Sequence, residues 1–491
     1  MVTTWPRPAA CADRLGALPP QPECTSTDRA DTLRAVAGIG AELAGRAQSA
    51  QRLFENWPEP RVDAVLADIA QAVDASSQLL AEETVAETGF GNAADKAAKN
   101  RFASTAVYRH LAGRPAAGVL GRDPVTGITE IATPVGVILG ILPVTNPVAT
   151  LVFKTLISLK ARNALIASPH HAAEGVCGHA GHLIRQVLER HGAPLDLLQC
   201  VPRAGGRALV QELMRSPQVA MVLATGGAGI ARAASSCDTP AIAVGAGNAP
   251  AWIRADADLT ATAHTVVASK SFDYGLICGS EQHLVVDGNL ADSFRASLVQ
   301  ADAAILTEIE CQRLAASLFD PVTGTVRREA IGRSPAMLAQ MARLTVPPNT
   351  RLLVVPLDAT QVPGRWSRER LAPVVTLISA ANDDHAVALC RALLAEQGHG
   401  HTAAIHTRDP AMVHWFGRRV PVNRLIVNGP AAQGSIGLGT GLAPSFTLGC
   451  GTVGGTSTSE NVDYHHLLNI CRAVEQVPPV PKSASSGLVA P

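Results

Sequence analysis

The sequence predicts an α/β protein whose parallel strands are covered by helices on both faces. Three observations carry this. Between residues 135 and 244, short apolar runs take turns with amphipathic helical segments. Those runs are apolar throughout rather than alternating, as a strand covered on both faces is. The same alternation restarts at His283 and continues to about Asn428, so two such units are expected.

Composition narrows the function. The chain has 491 residues, with Lys+Arg 41 against Asp+Glu 41, so its net charge is zero. Bulk binding of nucleic acid or of an anionic membrane by charge is therefore not expected. With 47% hydrophobic residues and 17% charged, disordered and collagen-like classes are excluded for the chain as a whole. Its length suggests about three domains. Ten cysteines form no CxxC pair and no zinc spacing, and are read as reduced thiols of a cytoplasmic protein. Pro6, Pro8, Asp13 and Arg14 break any signal-peptide core. Ile131 to Phe153 lacks a charge over 23 residues, enough for a membrane span. It also holds Pro134, Pro143, Asn146 and Pro147, so a buried strand, a turn and a buried helix are expected instead.

In chain order, residues 1–24 are Pro-rich and read as a flexible arm. From Thr27 to Gly113 the chain reads as helical. Val62, Val65, Leu66, Ile69 and Val73 keep one helical face, and Gly89, Gly91 and Gly113 mark stops. Then come a strand at Val135–Ile141, a helix over 147–162, a strand at Ala164–Ala167 and a helix over 172–190. A strand at Leu197–Val201, a helix over 205–215, a strand at Val219–Ala224, a short helix from 228 and a strand at Ala241–Val244 complete the first unit. Ligands of such sheets bind beyond the carboxyl ends of the strands. The second unit has strands at His283–Val286, Leu352–Val355, Val374–Ile378, Thr402–His406 and Leu425–Val427. A Gly-rich stretch, Gly429–Gly455, a short helix near His465–Ala473 and a Pro/Ser-rich, disordered tail at 477–491 follow.

Several residues could carry chemistry. Cys278 lies in a loop flanked by Gly275 and Gly279, which can expose a thiol. Taken alone, a cysteine is more often a small buried apolar residue. Asn146 before Pro147 suits a helix cap, and its amide could instead point into a cleft and steady an oxyanion. Thr225-Gly226-Gly227-Ala228-Gly229 follows a strand and opens a helix, the arrangement that cradles phosphate on backbone N–H groups. Of 15 histidines, the pairs His170-His171 and His465-His466 are expected to place their rings on different faces, and no metal site is expected. His401 is either a strand-start residue or a cleft residue.

Taken together, these segments resemble the aldehyde dehydrogenase superfamily, specifically its coenzyme A-acylating branch. The likeness runs from about Glu87 to Arg472. It is carried by Asp95-Lys-Ala-Ala-Lys-Asn100, Pro143-Val-Thr-Asn-Pro147, Ser168-Pro-His170, Ala224-Thr-Gly-Gly227, Ser269 through Gln282, Gly400-His-Thr402 and Ser459-Glu-Asn461. It is similar to the aldehyde dehydrogenase half of bifunctional aldehyde-alcohol dehydrogenases, and its end resembles acylating enzymes for functionalised aldehydes such as sulfoacetaldehyde.

The resemblance implies two Rossmann-like parallel-sheet domains plus a small oligomerisation arm. The cofactor-binding domain would span 25–243, with 122–132 as the oligomerisation hairpin. A catalytic thiolester domain would span 244–430, and 431–476 would return to the cofactor domain. Cys278 would be the nucleophile, with Asn146 and the Cys278 backbone N–H as oxyanion hole. Ser168, Pro169, His170, Thr225, Gly226 and Gly227 would hold NAD or NADP, with Glu369 on the nicotinamide ribose. Coenzyme A would be co-substrate, and a homodimer or homotetramer the assembly. Val244 stands where hydrolytic relatives carry a glutamate base. The expected product is therefore an acyl-coenzyme A made from a short-chain aldehyde, in a cleft with no carboxylate poised to deliver water. The alternatives are a hydrolytic enzyme releasing a free acid and an acylating enzyme of the succinate-semialdehyde type.

Overall fold

The structure, a computed structural model, describes residues 26–202 and 205–476. The expected arm at 1–24 and tail at 477–491 lie outside the described residues. The helical start is α1 (Ser26–Phe54), α2 (Glu59–Ala75), α3 (Ser77–Thr88) and α4 (Ala93–Arg101), which runs through a π turn into α5 (Val107–Leu111). The periodic face of α2 is the buried one: Val62, Val65, Leu66, Ile69 and Val73 are each 0% exposed. Burying each such side chain contributes about 1.5–3 kcal/mol before entropy is charged. Gly89 ends α3 in the left-handed conformation, φ 72°.

An antiparallel hairpin, β1 (Gly118–Asp123) and β2 (Ile128–Pro134), precedes the first parallel sheet. That sheet comprises β3 (Val137–Ile141), β4 (Ala164–Ser168), β5 (Leu198–Cys200), β6 (Met221–Thr225) and β7 (Ala241–Val244), in the order β5-β4-β3-β6-β7. The second comprises β8 (Ala249–Ile253), β9 (Glu281–Asp287), β10 (Ala303–Ile305), β11 (Leu352–Leu357), β12 (Val374–Ala380), β13 (Gly400–His406) and β14 (Val422–Val427). Its order is β10-β11-β12-β9-β8-β13-β14, parallel throughout. The last strand, β15 (Leu468–Val474), pairs antiparallel with β2, so the chain's end returns to the first half.

The helices that frame the site are α6 (Pro147–Lys160), α7 (Glu174–Arg190), α8 (Gly206–Leu213), α9 (Ala228–Ser235) and α10 (Leu259–Ser271). Every residue of α6 is buried, and the 131–153 stretch runs through β2, β3 and the start of this helix. Among the described residues no helix is long and apolar enough to cross a membrane. Lys154, on α6, donates to the carbonyls of Ile141 and Leu223, each at 2.7 Å, tying the end of β3 to the middle of β6. Burial alone pushes this ammonium well below its ordinary pKa.

The expected helix near His465–Ala473 is a correction. Residues Tyr464–Leu467 form one 3-10 turn, capped by Asp463, and β15 follows. This segment, Leu468-Asn-Ile-Cys-Arg-Ala-Val474, takes its strand form from the backbone partners that β2 offers. The strands β8 and β10, which the sequence pattern did not predict, are short and alanine-rich.

Candidate active site

The two sheets meet at opposite ends. Ile141, Ser168, Thr225 and Val244 close the carboxyl ends of β3, β4, β6 and β7. The facing loops, 245–248, Cys278 and Glu369, precede β8, β9 and β12. Between them lies a cleft of about 900 Å³. All nine predicted site residues line it: Asn146, Ser168, Pro169, His170, Thr225, Gly226, Gly227, Cys278 and Glu369.

Cys278 is half-buried at the junction. Burial first, then the Glu369 carboxylate and Cys450, push its thiol up to about 12, while the nearby Arg424 guanidinium pulls the other way. Arg424 is 3% exposed and donates to the Gly449 carbonyl at 2.7 Å. Gly247 makes the junction possible: a Cβ there would lie 1.7 Å from the Cys278 carbonyl oxygen.

Asn146 stands at the start of α6, yet its side chain makes no capping bond. Its Nδ2 donates instead to the Leu276 carbonyl at 3.1 Å, in the cysteine loop, and its Oδ1 accepts from Lys99. Nδ2 also donates to Thr145 Oγ1 at 3.3 Å, and the residue lines the cleft. Lys99 also donates to Asp273, whose Oδ2 accepts Lys96 at 3.0 Å. Asp273 and Tyr274 hold φ of 45° and 52°, a region costly for non-glycine residues. Bonds anchor the bend: the Asn92 N–H donates to Asp273 Oδ1 at 3.0 Å, and the Asp273 N–H donates to Asp95 Oδ2 at 2.8 Å.

This ion cluster was not legible in the sequence. Asp273 lies 174 residues from Lys99 and 177 from Lys96, and only an Asp and two Lys within familiar stretches hinted at it. Burial lowers Lys99 to about 8, against the pull of Asp273.

A nicotinamide dinucleotide fits these residues. Added Cβ atoms at Gly227, Gly229 and Gly245 would meet nothing within 4 Å, so the turn backbones are open to the cleft. The first turn of α9 begins there, offering N–H groups to phosphate. Glu369 accepts from the Gly247 N–H, while its Oε1 is buried without a partner, as an oxygen awaiting ribose hydroxyls would be. Burial raises this carboxyl to about 7, with Lys270, Gly247 and Arg370 opposing. Val244 stands at the end of β7 and lines the same cleft as Glu369.

His401 is a strand residue. It is 1% exposed within β13, its Nδ1 meets Thr402 Oγ1 at 2.9 Å, and its Nε2 has no partner. Burial, with Arg424 nearby, lowers it to about 3. The histidine pairs also differ from expectation. The rings of His170-His171 and His465-His466 lie beside each other, with centroids 4.1 Å and 4.0 Å apart. Both pairs sit at 3-10 turns, where successive side chains do not diverge as they do in a strand. Glu460, His465 and His466 bring three potential ligand atoms within 4.8 Å of one another. Hydrogen bonding accounts for the group. The Asp463 N–H donates to His466 Nδ1 at 3.1 Å, which leaves the ring proton on Nε2, facing Thr458 and Glu460.

The Aldehyde dehydrogenase family profile matches residues 32–313. The bifunctional aldehyde-alcohol dehydrogenase of Escherichia coli strain K12 is 37% identical over 432 residues, 87% of this chain and 48% of that protein. The chain thus spans about half the length of the curated relatives it first matches. The acylating sulfoacetaldehyde dehydrogenase of Cupriavidus necator is 35% identical over 444 residues, 89% of each chain. The crystal structure of an acetylating aldehyde dehydrogenase from Geobacillus thermoglucosidasius superposes with a TM-score of 0.86 at 35% identity, covering 92% of this chain and 99% of that one. Sequence and architecture agree along nearly the whole described chain, and it belongs to the aldehyde dehydrogenase family.

Proposed function

We propose that this protein is a coenzyme A-acylating aldehyde dehydrogenase. It converts a short-chain aldehyde, oxidised nicotinamide cofactor and coenzyme A into acyl-coenzyme A, reduced cofactor and a proton. The observation that carries the reading is one cleft holding the Cys278 sulfur, the Asn146 amide and two open glycine turns, with Val244 at the end of β7.

Cys278 adds to the aldehyde carbon as a thiolate, and the carbonyl oxygen becomes an oxyanion. Asn146 Nδ2 and the Cys278 backbone N–H stabilise that charge, at about 3–4 kcal/mol for one good donor. Ser168, Pro169, His170, Thr225, Gly226 and Gly227 hold the cofactor, with Glu369 on its ribose. When bound, the cofactor supplies the hydride acceptor. The acyl group is left as a thioester on Cys278, which the coenzyme A thiol takes over. Exchange of one thioester for another is nearly balanced, so the reaction runs both ways. A thiol held up to about 12 is protonated at rest, so substrate and cofactor binding must favour the thiolate.

The cofactor is NAD or NADP, and the aldehyde is acetaldehyde or a functionalised one such as sulfoacetaldehyde or succinate semialdehyde. We place the protein in the cytoplasm. The three-stranded sheet and its hairpin turn expose Val119, Val125 and Val474 at 62%, 78% and 69%, and serve as the arm of a homodimer or homotetramer. The deciding experiment follows cofactor reduction and product with each aldehyde, with and without coenzyme A. Acyl-coenzyme A formation is expected; free acid at equal rates in both tubes overturns the reading.

A further inference from the structure

Asn146 needs something to hold its amide the right way round. Turned by half a rotation about its last bond, an asparagine presents oxygen where it presented nitrogen. An oxygen there would repel the developing oxyanion. Helix α6 does not fix the choice, because the side chain makes no cap. The constraint comes from α4. Lys99 donates to Asn146 Oδ1, and a lysine can only donate, so the amide oxygen is fixed on that side. Nδ2 is thereby turned toward the loop of Cys278.

Lys99 is 2% exposed, and its ammonium also meets Asp273, which is 0% exposed and opens the bend leading to Cys278. One buried charge therefore touches both the amide and the loop it faces. A Cβ at Gly91, on the segment before α4, would lie 1.9 Å from Asp273 Oδ1, so the packing leaves this carboxylate little room to turn away.

We propose that Lys99 is a positioning residue for the oxyanion site, orienting and polarising the Asn146 amide while its bond to Asp273 keeps the Cys278 loop in register. The proposal rests on the reading under Proposed function. An ammonium on an amide oxygen draws electron density from the nitrogen and makes its N–H a stronger donor, a cooperative gain of about 10–30% per bond. Lys96 is a built-in control. It carries the same charge and shares the same carboxylate, but its other bond goes to the Thr145 carbonyl at 3.0 Å rather than to Asn146.

The test is a double-mutant cycle on the full chain, with Lys99→Met, Asn146→Ala and both together. Single-turnover cofactor reduction by acetaldehyde gives the chemical step, and titration gives cofactor affinity. Asn146→Ala should slow the step by about 10²–10³, the range for one lost oxyanion donor. Lys99→Met should slow it by at least about tenfold in the wild-type background and add nothing in the Asn146→Ala background, with cofactor affinity unchanged. Lys99→Gln, which keeps a neutral donor, should retain part of the rate. Equal losses in both backgrounds, an unimpaired Lys99→Met, or an equal loss in Lys96→Met would overturn the assignment. So would failure of both Lys99 variants to bind cofactor, which would make the residue one of folding. A wild-type enzyme that reduces no cofactor with any of the three aldehydes sinks the functional reading itself, and is recognised before any variant is made.

Discussion

Replacing Gly247 with alanine should stop the chemistry and leave the fold standing. The added Cβ would lie 1.7 Å from the Cys278 carbonyl oxygen and 2.7 Å from its carbon. Real Cβ atoms stay beyond about 3.0 Å, so opening 1.7 Å to 3.0 Å takes about 1.3 Å of movement. The obstacle is backbone, so no flexible side chain can yield. Either the 245–248 link or the Cys278 loop must move, and the Gly247 N–H carries Glu369 with it. Overpacking strain costs typically about 1–3 kcal/mol, within what a folded protein survives. Misplacing a reacting group by about 1 Å costs on the order of 10²-fold in rate. A cooperative melting transition with at least about a 10²-fold loss in single-turnover cofactor reduction is therefore expected. An unchanged rate would refute the claim that these two backbones set the nucleophile's place.

Three further outcomes follow from the same geometry. Iodoacetamide labelling of Cys278 in the cofactor-free enzyme should rise roughly tenfold per pH unit from neutrality upward, because only the thiolate reacts and the thiol is held up to about 12; a plateau below pH 9 would contradict that burial. Val244→Glu places a second carboxylate in the cleft, beside Glu369, and should release free acid without coenzyme A, by up to about 10²–10⁴-fold over wild type if it acts as a base; no gain in acid would show that water is excluded by other means. Asp463 is held below the usual carboxylate range, burial opposing but the bonds from His110 and His465 prevailing. A depressed folded pKa stabilises above the unfolded value and loses that contribution as pH falls through it. Asp463→Asn should therefore weaken folding above about pH 4 and flatten the acid limb of the melting curve below it; parallel curves for mutant and wild type would exclude the linkage.

The parallel strands were legible because β3 and β4 are buried along their whole length and so are apolar without alternation. The start of α6 was legible because Asn146 and Pro147 are both start signals. β15 was not: Leu468 and Ile470 keep a strand spacing while Ile470 and Val474 keep a helical one, and the partner that decides for a strand, β2, lies far away in the chain. The motif residues of the site carried over because each closes a strand or opens a turn at the cleft. What surrounds them did not: Lys99 on Asn146 and Arg424 beside Cys278 have no local signature, because both arise from contacts between distant segments.

The chain passes from the first sheet to the second at 245–248 and comes back after Val427 to pair β15 with β2. The half that carries the sulfur is thus an insert within the half expected to carry the dinucleotide. Such a layout lets the two reactants ride on separate solid bodies joined at their rims. A slight rocking of one against the other would widen or narrow the gap between sulfur and hydride acceptor without disturbing either body's interior, much as the jaws of a vice move without bending.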